Sequence, residues 1–159
     1  MSEHALWIAY GISNIVALLL LWSAWKNPVL ARILFSILFG WAAWANTRMA
    51  LLNPEDYLGY AEYTWSGWYR DFITGFFAQH IQPMVLAIAA GQACIALGLL
   101  GAGRIFRMAC AGGIVFLLAI APLGVGSAFP FSLIAGAGLW LLFRQGSRAL
   151  LWKMVGSRE

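Results

Sequence analysis

The stretch that decides the fold runs from Met108 to Phe143 and reads MACAGGIVFLLAIAPLGVGSAFPFSLIAGAGLWLLF. It contains 36 residues and no charged side chain. As one helix it would reach about 54 Å, nearly twice the thickness of the hydrocarbon layer of a bilayer. The part from Pro122 to Pro130 contains two prolines, two glycines and a serine, which favour a turn. The sequence therefore predicts two apolar helices joined by a hairpin.

The composition of the whole chain also indicates a protein that lies in lipid. Of its 159 residues, 62% are apolar and 10% are charged, and the mean hydropathy is +0.78. Soluble domains are typically about 45–50% apolar and about 25% charged. This balance excludes a soluble globular domain, a disordered chain and a nucleic-acid-binding module. We predict a single all-α domain, a polytopic membrane helix bundle that lies in the lipid bilayer.

Apolar runs bounded by charges and prolines predict five transmembrane helices, at residues 6–25, 29–52, 80–101, 105–123 and 129–144. The first run is interpreted as a mature helix, because the residues before it are not basic as in a signal peptide. Asn27 and Pro28 have the order of a helix cap followed by proline at the first position. Asn53 and Pro54 end the second run.

The placement of lysine and arginine predicts the orientation, because cytoplasmic loops hold an excess of both. With the N-terminus outside and five crossings, only Arg48 and Arg70 lie outside. The cytoplasmic side then holds Lys26, Arg32, Arg104, Arg107, Arg144, Arg148, Lys153 and Arg158. We predict that the N-terminus is out and the C-terminus is in.

The loop at residues 53–79 is rich in aromatic side chains. Four of the chain's five tyrosines are among them. The nine aromatic residues of the loop are Tyr57, Tyr60, Tyr63, Trp65, Trp68, Tyr69, Phe72, Phe76 and Phe77. A helix is predicted from Pro54 to about Trp65, with a break at Ser66-Gly67 before a second piece. The loop is either an interfacial anchor, since Trp and Tyr prefer headgroup depth, or a lid over a pocket.

A candidate ligand site lies where the second and third spans meet the outer surface. Ionisable side chains near membrane depth usually face a protein interior or a wet cavity. A quinone needs an apolar slot with hydrogen-bond partners at its carbonyl oxygens, which His80 with Arg48 or Gln82 could supply while Trp41, Trp44 or Trp68 stacks on the ring. His80 or Asp71 could pass a proton. Alternatively, Arg48 and Arg70 pair with Asp71, Glu55 or Glu62 and hold the loop down.

Two amides are predicted near the middle of spans. Asn14 lies in the first and Gln92 in the third, and each is expected to hydrogen-bond another helix, with ligand binding as the alternative. Glycines concentrated in the last three spans predict close helix packing. The sequence has no motif typical of a metal, iron-sulfur or phosphate site, so no cofactor is firmly implied, and a quinone is the candidate that we retain.

The last four spans resemble the DoxX-like family of small integral membrane proteins. The resemblance covers about residues 31–144. It depends on Gly40 followed by Trp41 to Trp44, a loop containing Pro54, and the run from Gly91-Gln92 through Gly98 and Gly101 to Arg104. It implies a four-helix bundle, here with an extra N-terminal helix, in a prokaryotic cytoplasmic membrane. Some relatives are subunits of thiosulfate:quinone oxidoreductase or of a terminal oxidase.

The leading functional hypothesis is a quinone-interacting subunit of a membrane oxidoreductase, whose redox centre belongs to a partner redox subunit or to the quinone itself. A small-solute or lipid carrier, which could act as a homodimer, is the second hypothesis. A non-catalytic assembly subunit of a membrane complex is the third. Whether the protein is an enzyme stays open.

Overall fold

A computed structural model of the chain describes residues 3–147 and residue 151, and the elements in this part are helical. Two long helices come first, α1 (Glu3–Lys26) and α2 (Pro28–Leu52). The connection that follows contains a 3₁₀ helix (Pro54–Gly59), the short helices α3 (Tyr60–Tyr63) and α4 (Gly67–Phe72), and one π-helical turn (Ile73–Phe77). Then come α5 (Ile81–Leu100), α6 (Gly103–Ile120), a 3₁₀ stretch (Ala121–Ser127) and α7 (Phe131–Gln145).

Four of these helices are long and apolar enough to cross a membrane. They are Trp7–Lys26, Pro28–Leu52, Ile81–Leu100 and the continuous stretch Gly103–Ser127. α7 is apolar but has only 15 residues, which corresponds to about 22 Å against a hydrocarbon thickness of about 30 Å. The fifth crossing, predicted at residues 129–144, therefore stays a prediction. The basic tail residues Arg148, Lys153 and Arg158 lie outside the described residues.

The 36-residue apolar run is broken where the sequence predicted a hairpin. α6 ends at Ile120, and Gly124 (φ +62°) and Ala128 (φ +54°) have left-handed backbone conformations. The chain then enters α7, which packs against both α6 and α1. The prediction of two separate helices with a turn between them is confirmed. We call residues 121–130 the α6–α7 hairpin.

The five longer helices form a closed ring. Along it, α2 packs on α5, α5 on α6, α6 on α7, α7 on α1, and α1 on α2. Large side chains fill its centre, all of them at most 2% exposed: Phe35, Phe39, Leu99, Phe106, Leu117 and Leu139. A second apolar cluster, built around Tyr57, Phe77 and Val85, lies at the end of the bundle where α2 stops and α5 begins.

Glycines allow the close approach of neighbouring helices, as the sequence predicted. A Cβ atom added to Gly98 of α5 would lie 2.7 Å from the Cβ of Ala109 in α6. One added to Gly113 of α6 would lie 2.6 Å from a methyl carbon of Leu139 in α7. These contacts fix how near α5, α6 and α7 come to one another, because any side chain at either glycine would force the helices apart.

Local sequence signals explain the start of α2 and how it is held. The Asn27 side chain accepts a hydrogen bond from the backbone nitrogen of Leu30 (3.2 Å), and Pro28 occupies the first helical position, which confirms the predicted cap. One turn further, Arg32 is 1% exposed. Its guanidinium donates to the carbonyl oxygens of Leu99 and Gly101, which end α5, and lies 4.7 Å from the ring centre of Phe106. Arg32 thus joins α2 to the α5–α6 turn.

Candidate functional site

The chain between α2 and α5, residues 53–79, folds back over one end of the bundle, and we call it the α2–α5 segment. Its two helical parts are separated at Thr64 to Ser66, close to the predicted break at Ser66-Gly67. Ser66 caps the second part by accepting a hydrogen bond from the backbone nitrogen of Tyr69 (3.4 Å). The predicted two-piece helical segment is confirmed, although the first piece begins as a 3₁₀ helix.

The α2–α5 segment is fastened to the α6–α7 hairpin. The hydroxyl of Thr64 donates to the Pro122 carbonyl oxygen (2.6 Å), and the Tyr69 hydroxyl donates to the Ala119 carbonyl oxygen at the end of α6. Gly124 of the hairpin lies so close to Tyr63 of the segment that a Cβ atom on Gly124 would be 2.6 Å from the Tyr63 carbonyl oxygen. The segment and the hairpin therefore form one layer across this end of the bundle.

A cavity of about 360 Å³ lies beneath this layer, between α5 and α6. Aromatic and aliphatic side chains make up most of its wall. The lining residues are Asn46 of α2; Tyr57, Tyr60, Tyr69, Phe72, Ile73 and Phe77 of the α2–α5 segment; Val85 and Ile88 of α5; Phe116, Ala119 and Ile120 of α6; and Leu123 and Gly126 of the hairpin. Its volume lies within the range of small-molecule sites, about 300–1,000 Å³.

A chain of hydrogen bonds ends on the cavity wall. The Tyr57 hydroxyl donates to Oδ1 of Asn46 (2.8 Å), and Nδ2 of Asn46 donates to Oε1 of Gln92 (2.8 Å). Gln92 is 2% exposed, and Asn46 and Tyr57 both line the cavity. The bond from Asn46 to Gln92 joins α2 to α5, so the predicted interhelical hydrogen bond of Gln92 is confirmed. Polar groups are thereby held at fixed positions in an otherwise apolar wall.

Burial favours the protonated form of two tyrosine hydroxyls at the cavity, those of Tyr57 and Tyr60. Desolvation raises the pKa of Tyr57 from its usual value of 10.0 to about 12, and the neighbouring Tyr60 phenol contributes to the rise. Burial also raises the pKa of Tyr60. Since both shifts are upward, the two side chains remain neutral hydrogen-bond donors throughout the physiological pH range.

The seven residues predicted to bind a ligand lie on the surface. Arg48, Arg70, Asp71, His80, Gln82, Trp44 and Trp68 are all exposed, and none belongs to the cavity wall. The structure gathers them around the α2–α5 segment without forming a pocket from them in the described part of the chain. Trp41, the third tryptophan considered for stacking, is also exposed on α2. Their role in ligand binding stays a prediction.

Several of these surface residues support the layer over the cavity. Arg70 donates to the carbonyl oxygens of Ala61 (3.3 Å) and Thr64 (3.4 Å), which ties the second part of the α2–α5 segment to the first. It therefore holds the segment through backbone carbonyls, where the sequence suggested a carboxylate partner. Trp68 stacks on Phe72 with 5.9 Å between ring centres, directly behind the cavity wall.

The remaining predicted residues have local partners. Arg48 lies 5.6 Å from the ring centre of Trp44, one turn away on α2. His80 stacks on Phe76 at 4.5 Å between ring centres, and its Nδ1 lies 2.9 Å from the carbonyl oxygen of Phe76. Asn14 donates to the carbonyl oxygen of Ala128 (3.1 Å), so its long-range partner is the α6–α7 hairpin, where the sequence predicted another helix.

Sequence reasoning missed the tyrosines as a cavity wall. Tyr57, Tyr60 and Tyr69 were noted only for their abundance in the loop, and Asn46 was not among the predicted site residues. The concentration of four of five tyrosines in 27 residues was the available signal. It does not show which side chains turn inward, because that depends on the contact between the loop and the α6–α7 hairpin.

No protein family, curated protein or solved structure matches this chain. Among residues 3–147 and 151, no group of three or more His, Cys, Asp or Glu side chains is placed to hold a metal ion.

Proposed function

We propose that the chain is an integral protein of a prokaryotic cytoplasmic membrane that crosses it five times, with the N-terminus outside and the C-terminus inside. Four apolar helices of sufficient length support this proposal, and α7, an apolar helix that packs against α1 and α6, is our candidate for the fifth crossing. In this topology the α2–α5 segment lies at the outer surface. The resemblance of residues 31–144 to the DoxX-like family supports the same architecture, with α1 as the additional helix.

We further propose that the cavity binds the head group of a quinone. One observation carries this proposal, namely the hydrogen-bonded chain Tyr57–Asn46–Gln92 that ends on the wall of an aromatic cavity. A quinone ring is flat and apolar and has two carbonyl oxygens that accept hydrogen bonds. Aromatic rings of the wall would pack against its faces, and the second amide hydrogen of Asn46 or the Tyr60 hydroxyl would donate to a carbonyl oxygen.

The cavity suits a quinone ring in size as well as in chemistry. A volume of about 360 Å³ accommodates one substituted ring. The raised pKa of Tyr57 keeps its hydroxyl protonated, and only the protonated hydroxyl can donate to Asn46 and hold that amide at the cavity wall. Electrons would reach the quinone from a partner redox subunit, which makes this chain the quinone-interacting subunit of a membrane oxidoreductase. The exposed His80 and Asp71 remain our candidates for proton uptake.

Quinone binding to the purified protein in detergent or nanodiscs tests the proposal. We expect Asn46→Leu to weaken the binding of a benzoquinone about fivefold, because it removes one hydrogen bond worth about 1 kcal/mol. Thr47→Val is the matched control. Thr47 adjoins Asn46 on α2, its hydroxyl bonds to Ala43 of the same helix, and it does not line the cavity.

Three outcomes decide the proposal. Binding that weakens in Asn46→Leu and persists in Thr47→Val supports a quinone site in the cavity. Binding that is lost only in His80→Ala would move the site to the surface around α5, as the sequence suggested. Absence of binding to the unmodified protein, combined with solute flux into liposomes under redox-inert conditions, would favour the carrier function.

A further inference from the structure

The helices α5 and α6 are in close contact at one end and separate toward the other. At the end joined by their short turn, Gly98 meets Ala109, and Ile95 of α5 lies 3.6 Å from the position of a Cβ atom on Gly112. These contacts leave no space between the helices at this level. Both helices then continue toward the α2–α5 segment.

Gly91 lies on the same face of α5 as Gly98 and Ile95, nearer to the cavity. Gly91 is exposed, and a Cβ atom added there would meet nothing within 4 Å. One turn further along α5, Ile88 lines the cavity and is 39% exposed. On the opposite side Ala119 of α6 also lines the cavity and is exposed. The cavity is therefore open on the side between α5 and α6, at Ile88 and Ala119, and we call this opening, together with the open space over Gly91, the crevice.

The other end of the cavity is covered by the α2–α5 segment. The hydrogen bonds from Thr64 to Pro122 and from Tyr69 to Ala119, together with the contact of Gly124 with Tyr63, fasten the segment over this end. A molecule that reached the cavity from water would have to break these contacts. A molecule dissolved in lipid would meet the crevice between α5 and α6 directly.

We infer that the cavity takes a lipid-soluble molecule with a ring head and a long hydrocarbon chain, which enters sideways between α5 and α6 and leaves its chain in the crevice over Gly91. This inference rests on the proposed function, since it needs the cavity to bind the ring. It adds the substrate class, a chain-bearing membrane quinone, and the route of entry. The missing side chain of Gly91 provides the space for the chain.

The experiment compares two probes, a benzoquinone with a decyl chain and the same ring without the chain. We expect Gly91→Phe to weaken binding of the decyl compound about tenfold, which is about 1.4 kcal/mol, because the new ring occupies the space beside the head group that the chain needs. Binding of the chain-free ring should change less than about twofold, which is within about 0.4 kcal/mol. Ala90→Phe is the control, since Ala90 is exposed on the adjoining face of α5. Gly91→Leu serves as a second variant if Gly91→Phe fails to fold.

Each outcome is decisive. Selective loss of the decyl compound in the Gly91 variants supports the inference. Equal weakening of both probes, or no weakening of either, overturns it and leaves quinone binding in the cavity intact. If neither probe binds the unmodified protein, the proposed function fails and this inference fails with it.

Discussion

Nδ2 of Asn46 lies 2.8 Å from Oε1 of Gln92, and this hydrogen bond joins α2 to α5 at the cavity wall. Gln92 is 2% exposed, so water cannot replace the bond if one partner is lost. The same Asn46 amide accepts a hydrogen bond from Tyr57. The position of the cavity's polar groups therefore depends on an interhelical contact.

We expect Gln92→Leu to lower the free energy of unfolding by about 1–3 kcal/mol, because it leaves the half-buried amide donor of Asn46 without its partner. The double variant with Asn46→Leu should lose less than the sum of the two single variants. The difference should be about 0.6–2 kcal/mol, the coupling typical of hydrogen bonds between membrane helices. Unfolding in mixed detergent micelles measures both quantities. Strict additivity would contradict a direct bond.

Gly98→Ala should destabilise the bundle. The new methyl group would lie 2.7 Å from the Cβ of Ala109 and would force α5 and α6 apart, at a cost of about 1–3 kcal/mol. Gly11→Ala in α1 is the control, because a Cβ atom there meets nothing within 4 Å. It should leave the midpoint of thermal unfolding unchanged or raise it, since alanine favours helix more than glycine does. Equal effects of the two changes would argue against this contact.

Gly124→Ala should release the α2–α5 segment from the α6–α7 hairpin. Gly124 has φ +62°, which costs other residues about 1–2 kcal/mol, and its added methyl group would meet the carbonyl oxygen of Tyr63 at 2.6 Å. We expect faster limited proteolysis by chymotrypsin within residues 53–79. Gly67→Ala, which has open space around it, should be cleaved at the rate of the unmodified protein. An unchanged rate for Gly124→Ala would mean that the contact does not hold the segment.

Alkaline pH should destabilise the fold through Tyr57. Its pKa is about 12 in the folded protein and its usual value is 10.0, so between these values the unfolded chain loses a proton that the folded chain retains. The free energy of unfolding should be independent of this group below pH 10 and should fall as the pH rises toward about 12. Tyr57→Phe should make the fall less steep. Tyr63→Phe, which changes an exposed residue, is the control, and identical pH profiles for Tyr57→Phe and the unmodified protein would contradict the prediction.

The proposed orientation predicts which residues a membrane-impermeant thiol reagent reaches in whole cells. In a background with Cys94→Ala and Cys110→Ala, Glu55→Cys should be labelled in intact cells, because Glu55 is exposed on the α2–α5 segment. Arg104→Cys, at the start of α6, should be labelled only after permeabilisation. The reverse pattern would show that the bundle is inverted. Labelling of both positions from outside would show that a crossing is missing.

The helices were predictable because their signals are local. Asn27 and Pro28 start α2, and the prolines and glycines between Pro122 and Pro130 break the long apolar run, so the helix bounds follow within a few residues. The burial of Arg32 was not predictable. From its charge we expected Arg32 at the membrane surface. The carbonyl groups that end α5 accept its hydrogen bonds and make a buried position possible.

The cavity was harder to predict than the helices because it depends on contacts between distant parts of the chain. Polarity and charge drew attention to residues such as His80 and Arg48, which lie on the surface. The side chains that line the cavity are mostly tyrosine and phenylalanine, which look the same in sequence whether they face lipid or a pocket. Which of them face the cavity depends on the contact between Gly124 and Tyr63, and these two residues are 61 positions apart in the sequence.

If α7 crosses the membrane as proposed, its short length makes the two sides of the protein unequal in hydrophobic thickness. α2 has 25 residues and α7 has 15, which correspond to about 37 Å and about 22 Å. Lipids beside α7 must therefore thin locally, or headgroups and water must sink toward the α6–α7 hairpin, whereas lipids beside α2 stay near their normal thickness. In the proposed topology the protein is surrounded by a tilted, uneven annulus of lipid and is favoured in thinner bilayers.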